Sequence, residues 1–559
     1  MKSWWRSSLR FGMLACLSLA ACGADHGSAQ SQHAALPKVS VSGSALVAGV
    51  TRAPIALRGF VFTAGVWFDV PPGGPNGDLA NLGFMESERD FVQLESLGAN
   101  LAILYLNYRW FSDPAGYALV DRVLGWCAAH DVYLLPSLVV YPGGGQRGGS
   151  AFFASADLED QARKFWVEFA ARYRGRSEIA GYDLLNEPQG APIDEIVALQ
   201  TSLVDAVRAV DPDSVLFIEP MWGDPYSLRA LDRPGIAYDA HYYLPLYLTS
   251  QQFPWLYGGA IPANVHYPNL DGTMVNDVPV VASVDDTSVP AGSYDWQTVS
   301  ADYAVPANSE LAYVKVFSNG DAGATLYFDD LEVTLDDGAF SPIPNGSFET
   351  KADVFADAQY WQASTQGAGA VQRSDEAAAA GQWSAKIANS AGLSSYATHP
   401  GLDGNGRSIF FLGTESGIKL NGASKLRLRF QVKAAGATAG KNGVQLNFCR
   451  VQRGNFTVGD LNAQLDSLLL AKSNAFDAPL LIGEFATSLV GVRPDSLDYV
   501  SDVLKYANQH GLSFAYYHYR EVKDQVRYLG LYEGPFGAPT DYTSVDADVL
   551  ARVQAALRP

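Results

Sequence analysis

An α/β chain closed into a barrel of eight parallel strands, interrupted between the sixth and seventh strands by an all-β sandwich, is the fold class the sequence predicts. Three observations lead there. From Ile55 onward, short β-rich runs alternate with stretches whose apolar residues recur at i, i+3 and i+4, the signature of repeated βα units around a parallel sheet. The segment between the sixth run, ending at His241, and the seventh, ending at Glu484, is far longer than the loop and helix that one unit needs. Within that segment the helical period vanishes, and short alternating strands separated by glycine-rich turns take its place.

Taken in order, residues 1–21 read as an export signal. Lys2, Arg6 and Arg10 precede an apolar stretch, 11–21, that is too brief to span a bilayer. Leu19-Ala20-Ala21-Cys22 resembles the bacterial lipobox, which implies cleavage before Cys22, lipidation of that thiol, and a flexible tether over 22–40. Ordinary signal-peptidase cleavage after a small residue is the alternative. The chain is therefore expected to be a lipoprotein of the bacterial cell envelope, at the outer membrane, or an extracellular protein, touching the membrane only through its anchor. The first part of the barrel occupies 41–270, with strands at 55–62, 100–106, 132–139, 179–185, 215–219 and 236–241 and helices such as 158–174 and 193–210, the latter ended by Asp211-Pro212. The insert takes 271–455, with strands including 312–317, 324–333, 425–432 and 444–449. The barrel resumes over 456–559 with a helix at 461–471, strands at 480–484 and 512–519, and a helix at 497–510 closed by Gly511.

Composition narrows the partners. Acidic residues outnumber basic ones, 59 to 39, for a net charge of −20, which argues against nucleic acid or another polyanion. Aromatic residues make up 12% of the chain, with 11 Trp, enough to spare rings for stacking on sugar faces after the core is filled. Cys127 falls in an expected helix and Cys449 in an expected strand of the insert, so both read as unpaired buried thiols rather than a disulfide or metal site. No zinc-type Cys/His spacing, phosphate loop or serine nucleophile elbow stands out.

The chemistry-bearing residues are two glutamates at strand ends. Glu187, in Asn186-Glu187-Pro188, closes the fourth strand, and Glu484 closes the seventh. In a parallel barrel, catalytic groups sit at the C-terminal ends of the strands. Two carboxyl groups delivered there are the minimum equipment of a retaining glycosidase, which needs them about 5–5.5 Å apart.

Together with the barrel, these motifs resemble glycoside hydrolase family 5, over residues 53–269 and 462–558. Arg58-Gly59 resembles the family's opening signature, Asn186-Glu187-Pro188 its acid/base motif, His241-Tyr242-Tyr243 its sixth-strand motif, and Ile482-Gly483-Glu484-Phe485 its nucleophile motif. The resemblance implies that Glu187 is the acid/base, protonated at rest, and Glu484 the ionised nucleophile. It further implies that Asn186 bonds the sugar 2-hydroxyl, that His241 serves the acid/base, and that Tyr243 donates to the nucleophile. Three departures accompany it: Ile103 stands where many members place a second-strand Arg, and Arg109 can substitute only if the strand end is rearranged; no His follows the third strand; and Phe514, Tyr516 and Tyr517 stand where a Trp platform is usual.

Within the insert, Pro344-Asn345-Gly346-Ser347-Phe348-Glu349 with Trp361 resembles the opening of jelly-roll carbohydrate-binding modules, and the run 328–333 resembles their closing strand. The closing half precedes the opening half, as in a circularly permuted single sandwich, with two truncated domains as the alternative. Trp67, Trp110, Trp222, Trp255 and Tyr517 are candidate sugar-stacking rings. The combined expectation is a monomeric retaining β-glycosidase acting on a β-linked, glucan-like polysaccharide or oligosaccharide, without metal or organic cofactor. A non-hydrolytic carbohydrate-binding surface protein and a transglycosylase on the same residues are the alternatives.

Overall fold

The computed structural model describes residues 35–63, 65–66, 87–112, 114–143, 152–189, 191, 193–251, 266–268, 280–283, 287–307, 309–318, 321–350, 361–365, 370–389, 395–398, 418–449, 456–489, 493–522, 529–534 and 544–558. Cys22 and the expected export signal lie outside them, as do Trp67 and Trp255.

Eight parallel strands close into a barrel: β1 (Arg58–Phe62), β2 (Leu101–Asn107), β3 (Tyr133–Val140), β4 (Tyr182–Asp183), β5 (Leu216–Ile218), β6 (Ile236–His241), β7 (Leu480–Phe485) and β8 (Ser513–Tyr516). This is the (β/α)8 TIM-barrel arrangement. Strands β2 and β3 are buried at every position, as expected where one face lines the barrel and the other meets helices, so their sequences run apolar rather than alternating. Closure comes from β8 pairing with β1, Phe514 opposite Arg58, and from β7 pairing with β6, Leu480 opposite Tyr238. At the top of β7 the register slips between Ile482 and Glu484, a bulge that sets Glu484 opposite His241.

Helices α1 (Glu88–Leu97), α2 (Pro114–Ala129), α3 (Ala156–Tyr173), α4 (Ile193–Val210), α5 (Val458–Leu465), α6 (Arg493–Gln509) and α7 (Ala547–Leu557) belong to the barrel units. In α4 the buried Ile196, Leu199, Leu203, Val204 and Val207 make one stripe at helical spacing. Between β5 and β6, two 3-10 turns, Met221–Gly223 and Pro225–Ser227, stand in place of a helix. They lie at the rim of the barrel.

Three elements differ from expectation. The fourth strand, expected over 179–185, pairs as a ladder only at Tyr182 and Asp183; Leu184 keeps an N–H bond to the Phe217 carbonyl at 3.4 Å but gives its own carbonyl to the Trp166 indole at 2.9 Å. The helix expected over 461–471 contains a π turn, Asp466–Leu470, and continues through Ala471–Phe476. The expected tether end is not free. Tyr133 donates its hydroxyl to the Pro37 carbonyl at 2.6 Å, and Val39 is buried in a small antiparallel sheet, Val39–Ser42, Ala45–Ala48 and Ala53–Pro54, that precedes the barrel.

Among the described residues, two antiparallel sheets, of seven and six strands, come in chain order between β6 and β7. Leu311–Ser318 in the first supplies Val314 and Val316, and Ala324–Leu335 and Lys425–Ala437 in the second supply Phe328, Leu331 and Phe430, to one buried cluster. The sheets pack face to face. Phe348 and Trp361 join that same cluster, so the two sequence halves feed a single core, distinct from that of the barrel. Cys127 is a free, buried thiol in α2.

The barrel leaves little room at one glycine and ample room at another. A Cβ on Gly59 would lie 1.8 Å from the Leu101 carbonyl oxygen of the neighbouring strand, whereas one on Gly125, in α2, would meet nothing within 4 Å. Gly59→Ala is expected to cost at least about 1–3 kcal/mol by overpacking. Gly125→Ala should be neutral or stabilise by about 0.5–1 kcal/mol. Urea unfolding of the two variants checks this, and equal midpoints would contradict the strand spacing.

Candidate active site

The candidate site is assembled at the C-terminal ends of β4 to β7. Beyond Asp183 the chain carries Leu184 and Leu185 inward and then presents Asn186 and Glu187 at the barrel mouth, both buried. Glu187 has φ +43°, a left-handed conformation that a non-glycine residue adopts only at a cost and only when its surroundings hold it there. They do so from several sides. The Asn186 N–H donates to the Leu138 carbonyl at 2.9 Å, the Tyr141 hydroxyl donates to the Asn186 carbonyl at 2.9 Å, and the Trp222 N–H donates to the Pro188 carbonyl at 3.1 Å. The Glu187 N–H itself donates to Glu219 Oε2 at 2.7 Å.

Glu219, one residue beyond β5, was not singled out in the sequence, although it closes its strand as Glu187 and Glu484 close theirs. Its carbonyl accepts from the Gln200 side chain of α4 at 2.7 Å, and its Oε1 accepts from Asn186 Nδ2 at 3.1 Å. Asn186 Nδ2 also lies 3.4 Å from the Tyr105 hydroxyl.

His241, the last residue of β6, joins the acids. Its Nδ1 is 2.7 Å from Glu187 Oε1 and 3.5 Å from Glu484 Oε2, and its Nε2 is 3.4 Å from Glu219 Oε2. Carboxyl oxygens of Glu187 and Glu484 approach within 4.8 Å of each other. Tyr243, on the same face of the chain two residues past His241, donates its hydroxyl to Glu484 Oε2 at 2.7 Å. Two glycines make this packing possible: a Cβ on Gly223 would lie 2.6 Å from the His241 ring, and one on Gly483 would lie 2.0 Å from Asp239 Oδ1.

The electrostatics follow from burial of so many acids around one base. Asp183 and Asp239, wholly buried beneath the site, have carboxyls raised well above the ordinary range, first by desolvation and then by the charge of Glu219. Both are thereby favoured in the neutral form. Burial alone would lower His241, but the charge of Glu219 and hydrogen bonds to Glu187 and Glu219 outweigh it and push the imidazole up to about 10. That favours the imidazolium at neutral pH, with Nδ1 toward Glu187 and Nε2 toward Glu219. Burial raises Glu484 well above its ordinary value. That is opposite in direction to the expectation of a readily ionised nucleophile, and its cause is desolvation; on the second strand Ile103 is a buried apolar residue, and Arg109 is exposed on the 3-10 turn Tyr108–Ser112. Among the described residues, Glu484 pairs with His241. Glu187, His241 and Glu484, and likewise Glu219, Asp239 and His241, bring ligand-type atoms within 4.8 Å, but contacts between His241 and the glutamates, and the Gly483 N–H on Asp239, already account for those positions.

Of the expected site residues, the structure brings together Asn186, Glu187, His241, Tyr243 and Glu484. Tyr517, just past β8, is half-buried with its ring 6.5 Å from Tyr243 and 6.4 Å from Tyr105. Trp222 is 49% exposed on the turn after β5. Trp110 is a correction: it is 0% exposed and belongs to the barrel core, because the chain turns back at the end of β2 and tucks the ring beneath the surface. It cannot stack on a sugar.

A family model described as cellulase (glycosyl hydrolase family 5) matches residues 103–297, a stretch that holds Asn186, Glu187, Glu219, His241 and Tyr243 but stops short of Glu484. A β-xylosidase from Phanerodontia chrysosporium is 31% identical over 154 residues, covering 25% of this chain and 32% of that protein. Endoglucanase Z from Dickeya dadantii is 27% identical over 140 residues, covering 24% of this chain and 30% of its own length. The chain thus spans only a minor part of these relatives. Endoglucanase Cel5A from Thermotoga maritima superposes with a TM-score of 0.45 at 10% identity, over 89% of this chain and 96% of that one.

Trp110 and Trp222, the candidate stacking tryptophans within the described residues, should separate in behaviour. Trp110→Ala is expected to cost about 3–5 kcal/mol of stability by emptying a core site, while Trp222→Ala should stay within about 0.5 kcal/mol of the parent. Thermal and urea unfolding measure both, and an equally stable Trp110→Ala would contradict its burial.

Proposed function

We propose that this chain, a member of glycoside hydrolase family 5, is a retaining glycosidase that cleaves a β-linked, glucan-like polysaccharide or oligosaccharide by double displacement. The observation that carries the reading is the approach of the Glu187 and Glu484 carboxyl oxygens to within 4.8 Å. An inverting pair stands about 6.5–9.5 Å apart to admit a water, whereas a retaining pair stands about 5–5.5 Å apart. No second reading has an observation of comparable weight.

In the first step a Glu484 oxygen attacks the anomeric carbon while the Glu187 proton passes to the departing glycosidic oxygen, leaving a glycosyl ester on Glu484. Glu187, now a carboxylate, then takes a proton from water, whose oxygen displaces Glu484 from the same face that the leaving group vacated. The hydroxyl of Tyr243 and the imidazolium of His241 are the groups that favour the charged form of Glu484, in the place a guanidinium fills in many relatives of the family. Asn186, its amide oriented by Glu219 and Tyr105, is assigned the sugar 2-hydroxyl, and Trp222 and Tyr517 the sugar faces. Export, the lipid anchor at Cys22 and a monomeric state complete the proposal: an enzyme tethered to the cell envelope and acting on extracellular glycan.

Hydrolysis of a panel of β-glucans, mannans and xylans tests this. Glu187→Gln is expected to lower kcat by about 10²–10⁴-fold on unactivated substrates, and Glu484→Gln to release no product; comparable release by Glu484→Gln and the parent would contradict the nucleophile assignment. Glycan binding by the parent with no turnover on any member of the panel would favour the non-hydrolytic alternative. Because burial raises Glu484 and the nucleophile must be ionised, activity should fall as pH drops through a midpoint above 4.5, the ordinary glutamate value. A pH profile of kcat/KM with its acid limb at or below 4.5 would show that the charged form is better supported than the structure indicates.

A further inference from the structure

We infer that Glu219 is a positioning residue of this site, one that clamps the strained Asn186-Glu187 turn and, through His241, holds the proton shared between that imidazole and the acid/base. The inference rests on the double-displacement reading of Glu187 and Glu484. Its geometric basis is that one buried carboxylate touches three members of the site at once: Oε2 accepts the Glu187 N–H at 2.7 Å and lies 3.4 Å from His241 Nε2, while Oε1 accepts from Asn186 at 3.1 Å. Its own carbonyl is tied to Gln200 on α4, and Gly223, further along the same loop, closes over the His241 ring. A residue that merely satisfied one orphan N–H would not need this position.

The charge has a specific task. His241 Nδ1 sits between Glu187 and Glu484, so its proton is the one that can pass to Glu187, and the pair titrates as a unit. A negative charge on the far side of the ring retains that proton to higher pH. The other ionisable groups around the ring are Asp239, on β6 itself, Asp183 on β4 next to Glu219, and Tyr243 through Glu484. On the Nε2 side the carboxyl group within reach of the ring is that of Glu219, at 3.4 Å. This also accounts for how a site without the second-strand guanidinium keeps a cation beside its nucleophile: the His241 imidazolium serves both glutamates, and Glu219 keeps it charged.

The test compares Glu219→Gln, which keeps shape and removes charge, with Glu219→Asp, which keeps charge and withdraws it from the Glu187 N–H. For Glu219→Gln, kcat should fall about 10–100-fold, the range for removing a residue that orients a catalytic group, with KM little changed and the alkaline limb of the pH profile moved to lower pH. In protein labelled with 15N-histidine, the His241 signal, assigned by its disappearance in His241→Asn, should titrate at lower pH in Glu219→Gln than in the parent. Glu219→Asp should lose kcat while shifting the His241 midpoint less than Glu219→Gln does. Loss of kcat with both the alkaline limb and the His241 midpoint unmoved would overturn the inference, as would an Asp variant that titrates like the Gln variant. The titration needs no turnover, so a parent inactive on every glycan would sink the enzymatic reading while leaving the Glu219–His241 coupling to be decided by the spectra.

Discussion

One imidazolium among three buried glutamates is the interaction on which this site depends. Acids crowded within a few ångströms of one another, out of reach of bulk water, ionise only with difficulty. Protonated His241 offsets that cost, facing Glu187, Glu219 and Glu484 at 2.7, 3.4 and 3.5 Å. The surrounding chain is arranged around the ring. Gly223 gives it room on one side, Gly483 gives room to Asp239 beside it, and the bulge in β7 brings Glu484 level with it. The left-handed backbone at Glu187 is tolerated because its N–H is bound to a member of the same cluster.

Much of this was legible in the sequence because strand ends in a parallel barrel announce themselves. Apolar runs buried on both faces locate β2, β3, β6 and β7, and a polar residue terminating such a run points into the barrel mouth. Asn186, Glu187, His241, Tyr243 and Glu484 all carry that mark. Glu219 carries it too and was passed over, since it sits in no motif of its own and its meaning lies in contacts with residues of two other strands. Asp183 and Asp239 were invisible for a related reason: alternation inside a strand that is buried on both sides does not say which acid faces the barrel axis.

Trp110 illustrates the opposite failure. A tryptophan following a barrel strand reads as a rim residue, but the 3-10 turn Tyr108–Ser112 reverses direction within one turn and delivers the ring to the interior. Nothing in the local sequence separates that path from an outward one. The same limit applies to the tether, whose last residues are held because the Pro37 carbonyl meets Tyr133 at the start of β3, a contact between positions remote in the chain. The helix missing after β5 is another such case, since the two 3-10 turns that replace it are short enough to look like an ordinary loop.

The pairing of β6 with β7 joins Tyr238 to Leu480 across the entire stretch that forms the two antiparallel sheets. Until β7 and β8 dock, β1 and β6 are open edges of an unclosed sheet. The intervening sheets bury their own core, which makes compact the connection that the β6–β7 pairing must close. Glu187 lies before those sheets and Glu484 after them, so the carboxyl pair at the mouth exists only in the sealed ring.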